Sequence, residues 1–167
     1  MADHVLLIGM MGAGKTTVGT LLAEALGCCY LDSDAEVEAS TGMTVREIFE
    51  KRGEAAFRAE EARVLREALA EPARCVISVA GGAVLAEENR NLIADGGTTV
   101  WLRASTATLA KRVASGDHRP LLGDDPAAAL ERLYEARRPV YEDLADVVVD
   151  VDGVAPDDVV REIMASL

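Results

Sequence analysis

Eight consecutive residues, Gly9-Met10-Met11-Gly12-Ala13-Gly14-Lys15-Thr16, fit the spacing G-x-x-x-x-G-K-[ST]. Each residue type has a physical reason to stand there. Glycines let the backbone curl until successive N–H groups face one point, which makes a nest for an anion. A helix that begins near Lys15 adds its positive end. The Lys15 ammonium can reach the β- and γ-phosphates of a nucleotide, and the Thr16 hydroxyl can ligate Mg²⁺. The segment therefore predicts binding of a nucleoside triphosphate with Mg²⁺.

The remaining acids and glycines narrow what is done with it. No lysine follows an asparagine, so the Asn-Lys-x-Asp segment of GTP-reading switches is absent. The apolar run 75–79 passes into Ala80-Gly81-Gly82 without a carboxylate, unlike the acid-tipped strand of motor and transport ATPases. Acids at a strand end occur instead at Asp32 and Asp34, which stand two apart on what reads as an extended segment, free to serve different partners. This combination suggests a kinase for a small molecule.

The elements that must position these residues alternate regularly. The short apolar run at 5–8 reads as a strand buried on both faces, and runs at 28–31, 75–79, 98–102 and 147–151 read as further strands. Helical patterns lie between and after them, at 18–26, 35–40, 45–49, from Gly53 to about Ala70, and at 87–94, 106–114, 127–138 and 157–167. Asp32-Ser33-Asp34 and Thr44 supply N-caps, and Gly27 a C-terminal stop. Strands joined by helices of this length imply crossover connections. The expected fold is a three-layer α/β/α domain on a five-stranded parallel sheet. Residues 115–126, with their Gly, Pro and Asp, stand apart as a mobile loop.

Composition sets the outer bounds. The chain has 167 residues, half of them hydrophobic, enough for one domain with a substantial core. Lys plus Arg is 17 against 29 acids, a formal charge of −12, which argues against duplex nucleic acid or anionic lipid as the main partner. No apolar run reaches the roughly 18 residues a membrane span requires. The N-terminus enters its first strand without a basic leader, so a cytoplasmic location is expected. Cys28, Cys29 and Cys75 lack zinc-ligand spacing and are expected as free thiols acting as small hydrophobes.

From residue 5 to about residue 163 the chain resembles the shikimate kinase family. The resemblance rests on Gly-Met-Met-Gly-Ala-Gly-Lys-Thr-Thr (9–17), Leu-Asp-Ser-Asp (31–34), Ile-Phe (48–49) and Gly-Glu-x-x-Phe-Arg-x-x-Glu (53–61). It continues with Gly-Gly-Ala (81–83), Arg-Pro-Leu-Leu (119–122) and Arg-x-Pro-x-Tyr (137–141). The resemblance implies the P-loop kinase fold with a mobile lid and ATP and Mg²⁺ as cofactors, and a short single domain of this family type is expected to be a monomer. It implies that Gly12, Ala13, Gly14, Lys15, Thr16 and Thr17 hold the phosphates. It puts Thr16 and Asp32 on the Mg²⁺ side, and Asp34 on the acceptor hydroxyl. Arg58, steadied by Glu61, and Arg137 would clamp a carboxylate. Gly81 and Gly82 would bring bare backbone to the acceptor. Arg119 would reach the transferring phosphate from the lid, and Arg112 and Pro156 would sandwich the adenine. In the family's triplet of glycines, this chain has Ala80 in first place.

The expected reaction is phosphorylation of the 3-hydroxyl of shikimate by ATP, on the route to chorismate and the aromatic amino acids. A kinase for another hydroxy acid such as gluconate is the nearest rival. A nucleoside monophosphate kinase and a non-catalytic nucleotide-binding module are the others.

Overall fold

The structure, a computed structural model, describes residues 3–114 and 123–167. Val5, Leu6, Leu7 and Ile8 have no solvent exposure, because the strand they form, β1 (His4–Ile8), is the middle of a sheet covered on both faces. The other strands are β2 (Cys29–Asp32), β3 (Cys75–Ser78), β4 (Gly97–Arg103) and β5 (Val147–Asp150). All run parallel, in the order β2-β3-β1-β4-β5. The chain leaves β1 for the far edge, returns to β3, then crosses β1 to reach β4. In such an open sheet the ligand crevice lies at the carboxyl ends of the strands, where the order reverses. The segments after β1, β2 and β3 all meet there.

The α-helices among the described residues are α1 (Lys15–Leu26), α2 (Ser33–Thr41), α3 (Val45–Arg52), α4 (Glu54–Leu69), α5 (Glu87–Gly96), α6 (Thr106–Ala114), α7 (Pro126–Leu144) and α8 (Pro156–Ser166), with a short 3-10 turn at Ala83–Leu85. Helix α1 packs on β2, β3 and α8; α5 packs on β1, β4, α4 and α7. The main core, which includes Leu22, Ile77, Ile93, Trp101 and Tyr141, fills the two spaces between sheet and helices. A second cluster of Val37, Ile48, Phe57 and Val64 binds α2, α3 and α4 into a separate buttress, with the Phe49 and Phe57 rings 4.8 Å apart. Thr44 and Glu47 form a reciprocal capping box at the start of α3. That buttress aims α4 at the crevice.

Three differences from the sequence reading have clear causes. Helix α7 does not stop at Arg138 but passes through Pro139 to Leu144. A proline inside a helix forfeits one backbone bond; here the following turn is held by Tyr141, which is fully buried and donates to the Gly81 carbonyl at 2.9 Å. Asp34 is not on an extended segment: Asp32 accepts from the N–H groups of Asp34 and Ala35 as N-cap, which starts α2 at Ser33 and places Asp34 in its first turn. Cys29 and Cys75 are not free thiols but form a disulfide, while Cys28 is free. The β2–β3 register sets Cys29 opposite Cys75 with Cα atoms 4.6 Å apart, and their separation of 46 residues hides this from any local pattern.

Candidate active site

Between β1 and α1 the chain makes the curl that the glycines allow. Gly12 and Gly14 have φ of 81° and 97°, a region that side-chain-bearing residues avoid. The Ala13 N–H closes the turn on the Met10 carbonyl at 3.1 Å, so Ala13 lies beneath the loop, buried. Lys15 Nζ donates to the carbonyls of Gly9 (2.8 Å) and Met10 (3.1 Å) across the curl. The loop's donors and the first turn of α1 are thus arranged as an anion cradle.

The cradle opens into a cavity of about 270 Å³. On one wall Thr16 Oγ1 donates to Asp32 Oδ2 at 3.0 Å, while Asp32 Oδ1 caps α2. Asp32 thus caps α2 with one oxygen and meets Thr16 with the other, on the wall of the cavity. A hydroxyl and a carboxylate are hard oxygen donors of the kind that Mg²⁺ accepts alongside phosphates and waters. Among the described residues no group of three His, Cys, Asp or Glu could enclose a metal, and a Mg²⁺ shared with a nucleotide needs none.

The opposite wall comes from α4 and α7. Arg58 Nη1 donates to both oxygens of Glu61, at 3.1 and 2.9 Å, and its guanidinium stands 5.3 Å from the Phe57 ring centre. Glu61 is 1% exposed; burial raises its pKa, opposed by Arg58 and Arg137 and reinforced by Asp34. Arg58, Arg137 and Asp34 hence all lie within electrostatic reach of Glu61. Arg137 is 2% exposed, lines the cavity, and leaves its Nε without a hydrogen-bond partner. Its neighbour Arg138 turns away to pair with Glu142 at 3.1 Å, as the helical rotation per residue requires. A site with two guanidinium groups beside a buried carboxylate is built for an anion with planar oxygens.

The floor between the walls is bare backbone. A methyl on Gly82 would fall 2.6 Å from Arg58 Nη1, and one on Gly81 3.0 Å from Arg137 Nη1. Ala80 also lines the cavity, but no side-chain-bearing residue among those described has positive φ, so alanine is unstrained there. Its N–H donates to Ser33 Oγ at 2.9 Å.

A family model described as "Shikimate kinase" matches residues 11–167. Shikimate kinase from Ruegeria pomeroyi is 53% identical over 150 residues, covering 89% of this chain and 76% of that one. The chain belongs to the shikimate kinase family. A solved shikimate kinase from Acinetobacter baumannii, described as in complex with shikimate, superposes with a TM-score of 0.94 at 38% identity, covering 98% of this chain and 92% of that one. A gluconokinase structure from Sinorhizobium meliloti, covering 98% and 90%, has a TM-score of 0.60 at 22% identity, a likeness of fold alone.

Set against this shikimate kinase fold, most residues expected from the sequence meet in one cavity: Gly12, Gly14, Lys15, Thr16 and Thr17 with Asp32 and Asp34, and Arg58 with Gly81, Gly82 and Arg137. Two do not line it. Arg112 Nη1 donates to the Gly12 and Ala13 carbonyls at 3.1 and 3.2 Å and Nη2 to Val151 at 3.5 Å, and Pro156 opens α8 on the exposed surface. Arg112 thus braces the phosphate loop against the segment that leads to Pro156. Arg119 and the rest of 115–122 lie outside the described residues. Sequence reading assigned no site role to Tyr30, Ser33, Ser78 or Tyr141, although Ser33 stood among the cap residues. Tyr141 closes the Arg-x-Pro-x-Tyr string, and Tyr30 precedes Asp32 by one strand period. Those were the available signals.

Proposed function

We propose that the protein transfers the γ-phosphoryl group of ATP, with Mg²⁺, to the 3-hydroxyl of shikimate, giving shikimate 3-phosphate and ADP. The single observation that carries this reading is the junction of two walls in one cavity. A phosphate cradle with Lys15, Thr16 and Asp32 shares one cavity with a pair of guanidinium groups, Arg58 and Arg137, with buried Glu61 and with Asp34.

In this reading the parts divide the work. Arg58 and Arg137 bind the shikimate carboxylate, and Glu61 holds Arg58 in place through its two hydrogen bonds. Asp34 accepts a hydrogen bond from the attacking hydroxyl and orients it in line. The new O–P bond forms as the bond to the β-phosphate oxygen breaks; that electron pair leaves on ADP, and the hydroxyl proton passes to Asp34 or solvent. Bound Mg²⁺ supplies charge neutralisation on the phosphates. Thr16 and Asp32 hold its place, and Lys15 shares the charge on the equatorial oxygens. Arg112 and Pro156 are assigned to the adenine side, and Arg119 to the transferring phosphate, by family resemblance.

The acceptor residues, on 32–61, 81–82 and 137, line one cavity, which supports a site complete within a single domain; the monomeric state and the cytoplasmic location are carried by the family resemblance alone. Ala80, the departure that would favour gluconate, brings no backbone strain. Arg58→Ala tests the assignment: the KM for shikimate should rise by at least tenfold while ADP binding is retained, and an unchanged KM rejects the clamp.

A further inference from the structure

Tyr30 has no part in the reaction as described, yet its placement is specific. On β2 it shares a face with Asp32, two residues on, because side chains alternate along a strand. Its ring occupies a gap that α1 leaves open: a methyl on Gly19 would fall 2.4 Å from Cε2 and 3.1 Å from Cδ2 of the ring. Gly19 has no positive φ, so the room it leaves is its structural contribution. The seated ring brings the Tyr30 hydroxyl to 3.1 Å from Asp32 Oδ2 and 2.9 Å from Ser78 Oγ. Ser78 Oγ in turn donates to the carbonyl of Lys15 at 3.2 Å. With the Ser78 proton directed to Lys15, the Tyr30 proton has Asp32 Oδ2 and Ser78 Oγ as its two acceptors. Oδ2 is also the oxygen that accepts from Thr16.

We propose that Tyr30 is a positioning residue for the Thr16–Asp32 pair: its hydroxyl holds Asp32 Oδ2 toward Thr16 and, through Ser78, ties that carboxylate to the first residue of α1. Asp32 has one oxygen occupied by the cap of α2, so its torsion is already restrained on that side. Tyr30 restrains the other. Three elements (β2, β3 and α1) are thereby locked to one carboxylate, and the oxygen pair offered to a cation keeps a fixed geometry. The inference rests on the reading of Thr16 and Asp32 as the Mg²⁺ side.

The test is Tyr30→Phe, which keeps the ring and removes the hydroxyl. Mn²⁺ affinity of the enzyme–ADP complex is measured by electron paramagnetic resonance, with Asp32→Asn as reference and the shikimate KM and melting temperature recorded in parallel. Removing an outer partner of a metal-side carboxylate is expected to weaken Mn²⁺ binding about tenfold. Asp32→Asn should weaken it at least as much, and the shikimate KM of Tyr30→Phe should stay at the wild-type value. Gly19→Ala, which displaces the ring without touching its chemistry, should reproduce the Mn²⁺ defect. Wild-type Mn²⁺ affinity in Tyr30→Phe beside a weakened Asp32→Asn overturns the role of Tyr30 and leaves the metal reading standing. Unchanged affinity in both overturns the metal reading and the inference with it. Equal losses of Mn²⁺ and shikimate binding in Tyr30→Phe also overturn it, since they mark a general disturbance of the site.

Discussion

Gly82→Ala isolates the acceptor wall without touching a charged residue. Gly82 has φ of −91° and ψ of −14°, where alanine is at ease, so the backbone registers no strain. The added methyl would lie 2.6, 2.7 and 2.9 Å from Nη1, Nη2 and Cζ of Arg58. Carbon–nitrogen contacts that short do not persist, and the guanidinium must retreat by the better part of an ångström. It cannot do so freely, because Nη1 is bonded to both oxygens of Glu61, whose own side chain is buried. Retreat either breaks that pairing or withdraws Arg58 from the cavity. Losing a hydrogen bond to a charged group costs about 1.5–3 kcal/mol. At roughly 1.4 kcal/mol per tenfold, the shikimate KM should rise about 10- to 150-fold. Initial rates against shikimate at saturating MgATP measure this, with ADP affinity and melting temperature as controls expected to stay near wild type. An unchanged shikimate KM in a folded Gly82→Ala protein would refute the placement of Arg58 as carboxylate clamp.

Glu61 makes a pH-dependent counterpart: burial raises its pKa above the ordinary 4.5, so acidification should weaken shikimate binding at a midpoint above that value, and Glu61→Gln should flatten that limb of the KM profile. The linkage sign follows, because the folded protein holds this proton more tightly than the unfolded chain. The stability that Glu61 contributes is full below the ordinary value and is lost as pH climbs through the raised one, a slope absent from Glu61→Gln. The Cys29–Cys75 bridge closes a loop of 46 residues, for which chain entropy gives about 4 kcal/mol. Reduction should lower the urea midpoint of wild type but not of Cys29→Ala. Activity should be nearly unaffected, since the bridge joins the strand starts and lies about 10 Å along the sheet from Asp32 and Ser78. Tyr141→Phe strips the Gly81 carbonyl of its 2.9 Å donor and should destabilise the fold by about 1–3 kcal/mol in urea unfolding, a test of how α7 is carried past Pro139.

What was legible in the sequence was mainly local. The phosphate loop announces itself because glycine conformation, helix start and cation are encoded within eight residues. Strands read as short apolar runs, so all five were located to within about two residues, although only β1 and β3 are buried throughout while the edge strands β2 and β5 are partly exposed. The acceptor wall was harder: Arg58 on a charged helix looks solvated, and only the family resemblance singled it out, with Arg137 in preference to Arg138. Features that depend on which strands become neighbours escaped entirely. The Cys29–Cys75 pair and the Tyr30–Ser78 contact both require knowing that β2 lies against β3, and the sheet order is set by packing across the whole domain. Arg112 shows a different limit, since the resemblance assigned it a base to stack on while the fold also ties it to the loop carbonyls.

The central claim is that the phosphate cradle and the paired guanidinium wall make one shikimate-phosphorylating site. Its most direct test is ADP release from MgATP with shikimate, with gluconate, with AMP and with no acceptor, measured on the same preparation. Strong stimulation by shikimate alone, with shikimate 3-phosphate formed in equal amount to ADP, is the result the site predicts. Stimulation by gluconate or AMP instead, or ATP binding without acceptor-dependent turnover, would contradict it.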